Sequence, residues 1–351
     1  MEAFLRKLCP SGTPGYAWSA PGSSGGPHRG WGGLASLGPR ERPVLEGTLF
    51  DLASLTKPLA TALVALRAMD SGDLDLDSPV PGTNAPAFSF LDLLRHRAGF
   101  PPWLPLYGFI PGRGDARDWL SRHCPRSRLG RAEYSCLDYI LLGLVLEEAL
   151  GAPLDRLFRE RVAKPIGLTD KEACFTPHLC NVTDVAATER GETREAIMAR
   201  QYGTHPPAFL PEGEGPGIVN DGNARFLGGV AGNAGLFGSL KAVEILADAY
   251  RPVGGFLSPG TLDLAWTPPA AGHGEHRSAG WRVSPCAHWS VGAALPRGAI
   301  GHEGYTGTGV WLELPPGRTY ILLTNRIHPR HPGTDFGPVR VAFLDAARTL
   351  A

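Results

Sequence analysis

Leu59, Leu63 and Leu66 fall on one stripe of a helix that opens at Ser54, and Pro58 marks its first turn, where a missing N–H leaves no bond unmade. The same 3.6-residue period returns over residues 137–150, through Ile140, Leu141, Leu144, Val145 and Ala149, until Gly151 and Pro153 stop it. Residues 240–250 and 336–350 repeat it, and 90–96 and 116–123 predict shorter helices. Residues 15–19 and 31–35 predict edge strands, and 280–283, 289–293, 299–314 and 319–325 predict further strands. The last two close a hairpin through Pro315, Pro316, Gly317 and Arg318. Between residues 174 and 238 the pattern is irregular. Pro206, Pro207, Pro211 and Pro216 exclude a long helix there and predict loops over a site.

This order predicts an α/β (α+β) architecture: one antiparallel sheet drawn from both ends of the chain, flanked by helices, with a helical lobe inserted between them. The expected division is an α/β lobe of residues 1–80 and 255–351 and a mostly helical and loop lobe of 81–254, with the active site between. At 351 residues and 43% hydrophobic content the chain can bury a large core. Lys plus Arg and Asp plus Glu number 34 each, so there is no basic field for nucleic acid or anionic lipid, and a small-molecule partner is expected. No apolar run reaches the roughly 18 residues that span a membrane, and none marks a signal peptide, which predicts a cytoplasmic protein. The six cysteines, among them Cys9, form no C-x-x-C pair and predict free thiols.

The candidate chemistry starts at Ser54-Leu55-Thr56-Lys57. Residues three apart share a helix face, so Lys57 can reach the Ser54 hydroxyl and take its proton, and the helix N-terminus can steady an oxyanion. The plain alternative is an N-cap serine beside a solvated lysine. Tyr134-Ser135-Cys136 precedes the helix at 137, where a phenol could join a Lys–Tyr base pair; the alternative is a packed tyrosine with Ser135 as N-cap. Gly301-His302-Glu303-Gly304-Tyr305-Thr306-Gly307, placed on the strand that begins the terminal hairpin, lets a ligand approach the backbone.

These three pieces, in this order, resemble the motifs of the β-lactamase and penicillin-binding-protein superfamily of serine hydrolases, in its class C-like, esterase-like branch. Residues 48–57, 93–99, 219–232 and 322–326 extend the resemblance over most of the chain from about residue 45. It implies acyl transfer to Ser54, proton movement shared by Lys57 and Tyr134, and an oxyanion hole from the N–H groups of Ser54 and Tyr305. It implies hydrolysis of small esters or amides with no metal or organic cofactor, and Cys136, His302, Glu303 and Gly304 at the substrate. A transacylase using the same residues and a non-catalytic relative sensing a peptidoglycan fragment are the alternatives.

Two positions depart from the pattern. Cys136 stands where the tyrosine motif carries an amide or carboxylate, and a thiol is a weak hydrogen-bond partner. Glu303 stands where Lys-Thr-Gly or His-Thr-Gly has threonine; facing the pocket ionised it would repel a substrate carboxylate about 4 Å away by roughly 4 kcal/mol at an effective dielectric near 20. Strand alternation could instead turn it away. The expectation is weak β-lactam turnover and better turnover of small neutral esters or amides. His96, Asp221, Asn223 and Arg225 are expected to organise loops.

Overall fold

The computed structural model describes the chain apart from residues 2–4, 6–11, 24–25, 39–40, 85, 128, 189–193, 207–216, 270–272, 287–288, 316, 329–334 and 351. Cys9, Pro207, Pro211, Pro216 and Pro316 therefore lie outside the described residues. The strands are β1 (Gly15–Pro21), β2 (Pro27–Leu37), β3 (Glu41–Pro43), β4 (Phe50–Asp51), β5 (Arg131–Ala132) and β6 (Ala173–Phe175). They continue with β7 (Leu236–Gly238), β8 (His273–Gly274), β9 (Arg282–Val283), β10 (Ile300–Glu303), β11 (Gly309–Glu313) and β12 (Arg318–Thr324). Seven form one antiparallel sheet in the order β3-β2-β1-β12-β11-β10-β9, so the two ends of the chain meet where Tyr16 pairs with Thr324 and Ser19 with Ile321.

Both faces of this sheet are covered, which is why its central strands read as nearly continuous apolar runs. Ala17, Val310, Leu312, Ile321 and Leu323 point into the larger core, shared with Leu59, Leu63 and the helix Cys136–Leu150. Tyr16, Trp18, Trp311, Tyr320 and Leu322 alternate onto the other face and meet Phe343, Leu344 and Ala347 of the terminal helix Gly337–Arg348. Truncating Phe343, which is fully buried, is expected to cost about 3–5 kcal/mol.

The helices over 90–96, 116–123, 137–150, 240–250 and 336–350 appear as Phe90–Leu94, Arg113–Arg122, Cys136–Leu150, Leu240–Asp248 and Gly337–Arg348. Ser89 and Asp92 close a capping box on the first, and Gly151, at φ 68°, ends the third. Four expectations are corrected. Residues 15–19 and 31–35 are not edge strands, because β1 lies between β2 and β12, and β2 is covered by β3. Residues 299–314 are two strands, since the backbone turns back through Gly304–Thr308 and the Gly304 N–H bonds the Thr308 carbonyl at 2.9 Å. The 301–307 motif therefore sits at the end of β10 and in that turn, one strand before the hairpin β11–β12. Residues 289–293 contain a 3₁₀ turn, Gly292–Ala294, in place of a strand. The helix Pro259–Trp266, capped by Ser258 with Pro259 in its first turn, was unforeseen.

Candidate active site

The segment that carries Ser54 is pinned before its helix begins. Asp51, at the end of β4, accepts the N–H of Ala53 at 2.8 Å and of Asn220 at 2.7 Å. Its carboxyl is buried, and desolvation pushes its pKa up to about 6 against those bonds. Ala53 takes φ 46°, a left-handed conformation that costs a non-glycine residue of order 1–3 kcal/mol and persists only where the surroundings enforce it. A 3₁₀ turn, Ala53–Leu55, and a π-type turn, Lys57–Ala62, then lead into the α-helix Leu63–Asp70. The β10–β11 turn closes on the same residues: Thr306 donates to the Asp51 carbonyl at 2.7 Å and Thr308 to that of Leu52 at 3.2 Å. Gly304 is required here, because a Cβ would lie 2.7 Å from the Leu52 carbonyl oxygen.

Lys57 is fully buried, and its Nζ lies 3.0 Å from Ser54 Oγ and 3.0 Å from the Asn233 carbonyl. Tyr134 Oη lies 2.8 Å from the same Ser54 Oγ. Cys136 Sγ is 3.7 Å from both Lys57 Nζ and Tyr134 Oη, long, weak contacts of the kind a thiol makes. Burial lowers the Lys57 pKa, but Cys136 and Tyr134 outweigh it and the net shift is upward. Burial raises that of Tyr134, as does Cys136, while Lys57 opposes both. The resting pair is thus an ammonium and a phenol sharing one serine oxygen. Both alternatives weighed in sequence are answered at the level of geometry: Lys57 is not solvated, and Ser135 caps its helix while Tyr134 reaches the serine.

His96 is brought to the site without touching Ser54. It accepts the Ser135 N–H at Nδ1, 3.1 Å, beside Asp138 Oδ2 at 3.1 Å, and its ring packs 4.9 Å from that of Tyr134. Burial, then Arg277 and Lys57, hold His96 well below its usual range, and burial holds Asp138 well above, so the two form a neutral pair. Asp221, Asn223 and Arg225 organise the loop that supplies the Asn233 carbonyl. Asp221 accepts from Ala224 N and Asn233 Nδ2, Asn223 bonds the backbone of Leu104 and Leu106, and Arg225 bonds the Val219 carbonyl.

Two chambers open on Ser54, both bordered by Ser54, Tyr134 and Tyr305. The first, about 280 Å³, is lined by Arg277, Arg282, Arg326 and Arg340 together with His302 and Glu303. Glu303 does face it, but not as a free carboxylate: Trp289 Nε1 and Ser290 Oγ donate to it at 3.3 Å and Arg340 lies 3.8 Å away. His302 is held neutral by burial and by Arg277 and Lys57, with Nδ1 3.1 Å from the Glu303 carbonyl. Burial and the neighbouring Arg340 lower the Arg326 pKa to about 10. The second chamber, about 210 Å³, is mostly apolar, with Ala53, Trp103, Met198 and Ala234, and carries Cys136, the guanidinium of Arg194 and the carboxylates of Glu195 and Asp221. Burial and Asp221 raise Glu195 to about 7, although Tyr107 and the Gly222 N–H both donate to it at 2.8 Å. A larger cavity, about 560 Å³, lies elsewhere beside Ser19, Arg29, Glu244 and Arg251, where Arg29 and Glu244 already pair at 2.8 Å.

All eight residues picked out in the sequence converge here: Ser54, Lys57 and Tyr134 through hydrogen bonds, Cys136, His302, Glu303, Gly304 and Tyr305 as chamber walls. The sequence reading missed the four arginines of the first chamber and Trp103, Arg194, Glu195 and Met198 of the second. Arg326 follows the apolar run of β12 and offered a signal as a charge at a strand end; the others are scattered over loops, strand β9, a short helix and the terminal helix, and offered none. Among the described residues no cluster of metal-ligating side chains occurs, and no helix is long and apolar enough to cross a membrane. The described cysteines are free.

A serine held between a buried lysine and a tyrosine, on a helix packed beneath an antiparallel sheet, defines the β-lactamase fold of serine hydrolases. The chain belongs to the Beta-lactamase family, whose model matches residues 12–340. It is 31% identical over 324 residues to a protein of Escherichia coli (strain K12) named "Putative D-alanyl-D-alanine carboxypeptidase", covering 82% of this chain and 72% of the relative. Among solved structures it is similar to EstCE1, described as a hydrolase with promiscuous acyltransferase activity, with a TM-score of 0.72 and 22% identity, covering 99% of this chain and 97% of that one. It is also similar to a class C β-lactamase from Rhodobacter sphaeroides, with a TM-score of 0.70 and 19% identity, covering 100% and 99%. At these identities the two structures speak for the fold alone.

Proposed function

We propose that the protein is a serine acyl hydrolase of small esters or amides, working through an acyl-enzyme on Ser54. The observation that carries this reading is the pair of contacts to Ser54 Oγ, 3.0 Å from Lys57 Nζ and 2.8 Å from Tyr134 Oη. Once the Lys57–Tyr134 pair has lost one proton, attack of Oγ on the substrate carbonyl passes the serine proton to it, and the N–H groups of Ser54 and Tyr305 hold the oxyanion. The pair returns the proton to the leaving group as the acyl bond forms, and water, deprotonated by the same pair, releases the acid. Lys57 and Tyr134 titrate together, so the base is the pair and not one member. Because both pKa values are raised, the base form grows with pH, and kcat/KM is expected to climb through and beyond neutrality.

The chambers support a finer reading. Four guanidinium groups on one side favour a substrate half that ends in a carboxylate, and the pairing of Glu303 with Arg340 removes the repulsion that an isolated carboxylate would exert. The apolar chamber suits the other half. A peptide or amide with a terminal carboxylate fits both, in keeping with the name of the Escherichia coli relative, and simple esters fill the apolar side alone. The test is intact mass after incubation with a fluorophosphonate, wild type against Ser54→Ala, followed by a panel of aryl esters, nitrocefin and D-amino-acid dipeptides. A single adduct lost in the variant supports the reading. Tight binding of a peptide without any adduct in the wild type would instead make the protein a binding relative.

A further inference from the structure

Tyr134 is surrounded by more positive charge than the Ser54–Lys57 pair requires. Lys57 Nζ lies over its ring 5.0 Å from the centroid, and the Arg277 guanidinium lies over it at the same distance. Arg277 is 3% exposed, so its charge is removed from water and must be satisfied within the protein. Its carboxylate partner is Glu275, reached at 2.5 Å, and Glu275 is shared with Arg282 at 3.1 Å. Two guanidinium groups on one carboxylate leave a net positive charge beside the phenol.

The backbone fixes this arrangement. β5 and β8 pair in parallel, Arg131 with His273 and Ala132 with Gly274, and the Glu275 N–H bonds the Ala132 carbonyl at 2.9 Å. The segment entering Tyr134 and the segment leading to Arg277 are thus one ladder. Arg282, from β9, pairs with Gly301 on β10, next to His302. The groups facing Tyr134 are Lys57 and Ser54 from the first helix, His96 from the end of Phe90–Leu94, Cys136 from its own helix, His302 from β10 and Arg277 from the 275–282 loop. Both histidines are neutral, so Lys57 and Arg277 are the cations that face the phenol, against burial and Cys136, which disfavour its anion.

We propose that Arg277 is a positioning residue for proton transfer: stacked on Tyr134 and tethered by Glu275, it holds the phenol at Ser54 and stabilises its anionic form. This rests on the reading that Ser54, Lys57 and Tyr134 carry out acyl transfer. A cation near the ring favours the deprotonated pair, and Glu275 offsets part of that effect.

The test is the pH dependence of two rates, kcat/KM on a short-chain aryl ester and fluorophosphonate labelling of Ser54, in wild type, Arg277→Gln, Arg277→Lys and Glu275→Gln, with thermal midpoints as folding controls. In Arg277→Gln the acidic limb is expected to move up by about one pH unit, a roughly tenfold lower rate at fixed pH on the limb. Arg277→Lys is expected to restore most of that shift. Glu275→Gln, which removes the offsetting carboxylate, is expected to move the limb down, and it keeps the test decisive if Arg277→Gln does not fold. A merely structural arginine would lower amplitudes and leave the limbs in place. Limbs that fail to move in opposite directions in the folded Arg277 and Glu275 variants overturn the proposal while Ser54 labelling in the wild type stands. No labelling in the wild type removes the acyl-transfer reading, and the proposal with it.

Discussion

The two chambers at Ser54 share three walls and differ in almost everything else. The arginine chamber is assembled from the 275–282 segment, the end of β10, Arg326 just beyond β12 and the terminal helix, and its charges are partly paired, Arg277 and Arg282 with Glu275, Arg340 with Glu303. The apolar chamber is assembled from the irregular 174–238 region and the loop that carries Trp103 after the helix Phe90–Leu94, and its carboxylates are fixed by hydrogen bonds to Tyr107, Gly222, Ala224 and Asn233. On the proposed reading, the contrast implies that a substrate is sorted by which of its halves lies on which side. The sheet side would then supply charge recognition, and the loop side shape.

The widest break comes from a residue that serves both sides. Tyr134→Phe keeps both chambers and removes the hydroxyl 2.8 Å from Ser54, and a loss of about 10²- to 10⁴-fold in kcat/KM on every substrate is expected. A loss confined to one substrate class would show that the phenol belongs to a chamber and not to the chemistry. Trp103→Ala should act only on the apolar side, lowering kcat/KM for long-chain aryl esters by roughly 10- to 100-fold while sparing acetyl esters. An equal loss on both would assign Trp103 to folding. Glu303→Gln should act only on the charged side. With Arg340 released, the ratio of kcat/KM for a carboxylate-ended amide over its neutral methyl ester is expected to rise by about three- to tenfold.

The smallest effect concerns stability. Glu195 has a folded pKa of about 7 against an ordinary 4.5, so its contribution is fully present below pH 4.5 and is lost as the pH rises through 7. Glu195→Gln abolishes that slope. Between pH 5 and 8, urea unfolding should show the variant gaining about 1 kcal/mol relative to wild type, after allowing for partial solvent access. The opposite slope of the buried histidines His96 and His302, whose neutral forms favour folding only as the pH rises, is common to both proteins and cancels in the difference.

What could be read in advance was local. Ser54 and Lys57 are three residues apart on a helix, Tyr134 precedes a strongly periodic one, and Gly304 is needed where a strand end meets backbone. Each announces itself within a few positions. The split of residues 299–314 into β10 and β11 was hidden because Gly304–Thr308 contains no Asn-Gly or Pro-Gly signal and both flanking strands are buried on two faces, which erases alternation. The arginines could not be placed because four separate segments, the loop before β9, β9 itself, the stretch after β12 and the terminal helix, carry them to one chamber, and only the folded sheet brings these together. The orientation of Glu303 depended on Trp289, Ser290 and Arg340, none of them sequence neighbours.

The seam between β1 and β12 has a consequence for the protein as it is being made. The Gly15 N–H bonds Asn325 Oδ1 across 310 residues, and the threonines that bolt the Ser54 segment in place, Thr306 and Thr308, lie just before that partner. A ribosome exposes Ser54 roughly 250 residues before those threonines emerge, at about 5–20 residues per second, so the serine spends many seconds outside the tunnel in an unfinished chain. The nascent polypeptide is in this sense born unarmed. On the proposed reading its reactivity would await the last strand, and a product truncated before β12 would carry the serine, the lysine and the tyrosine without the contacts that hold them.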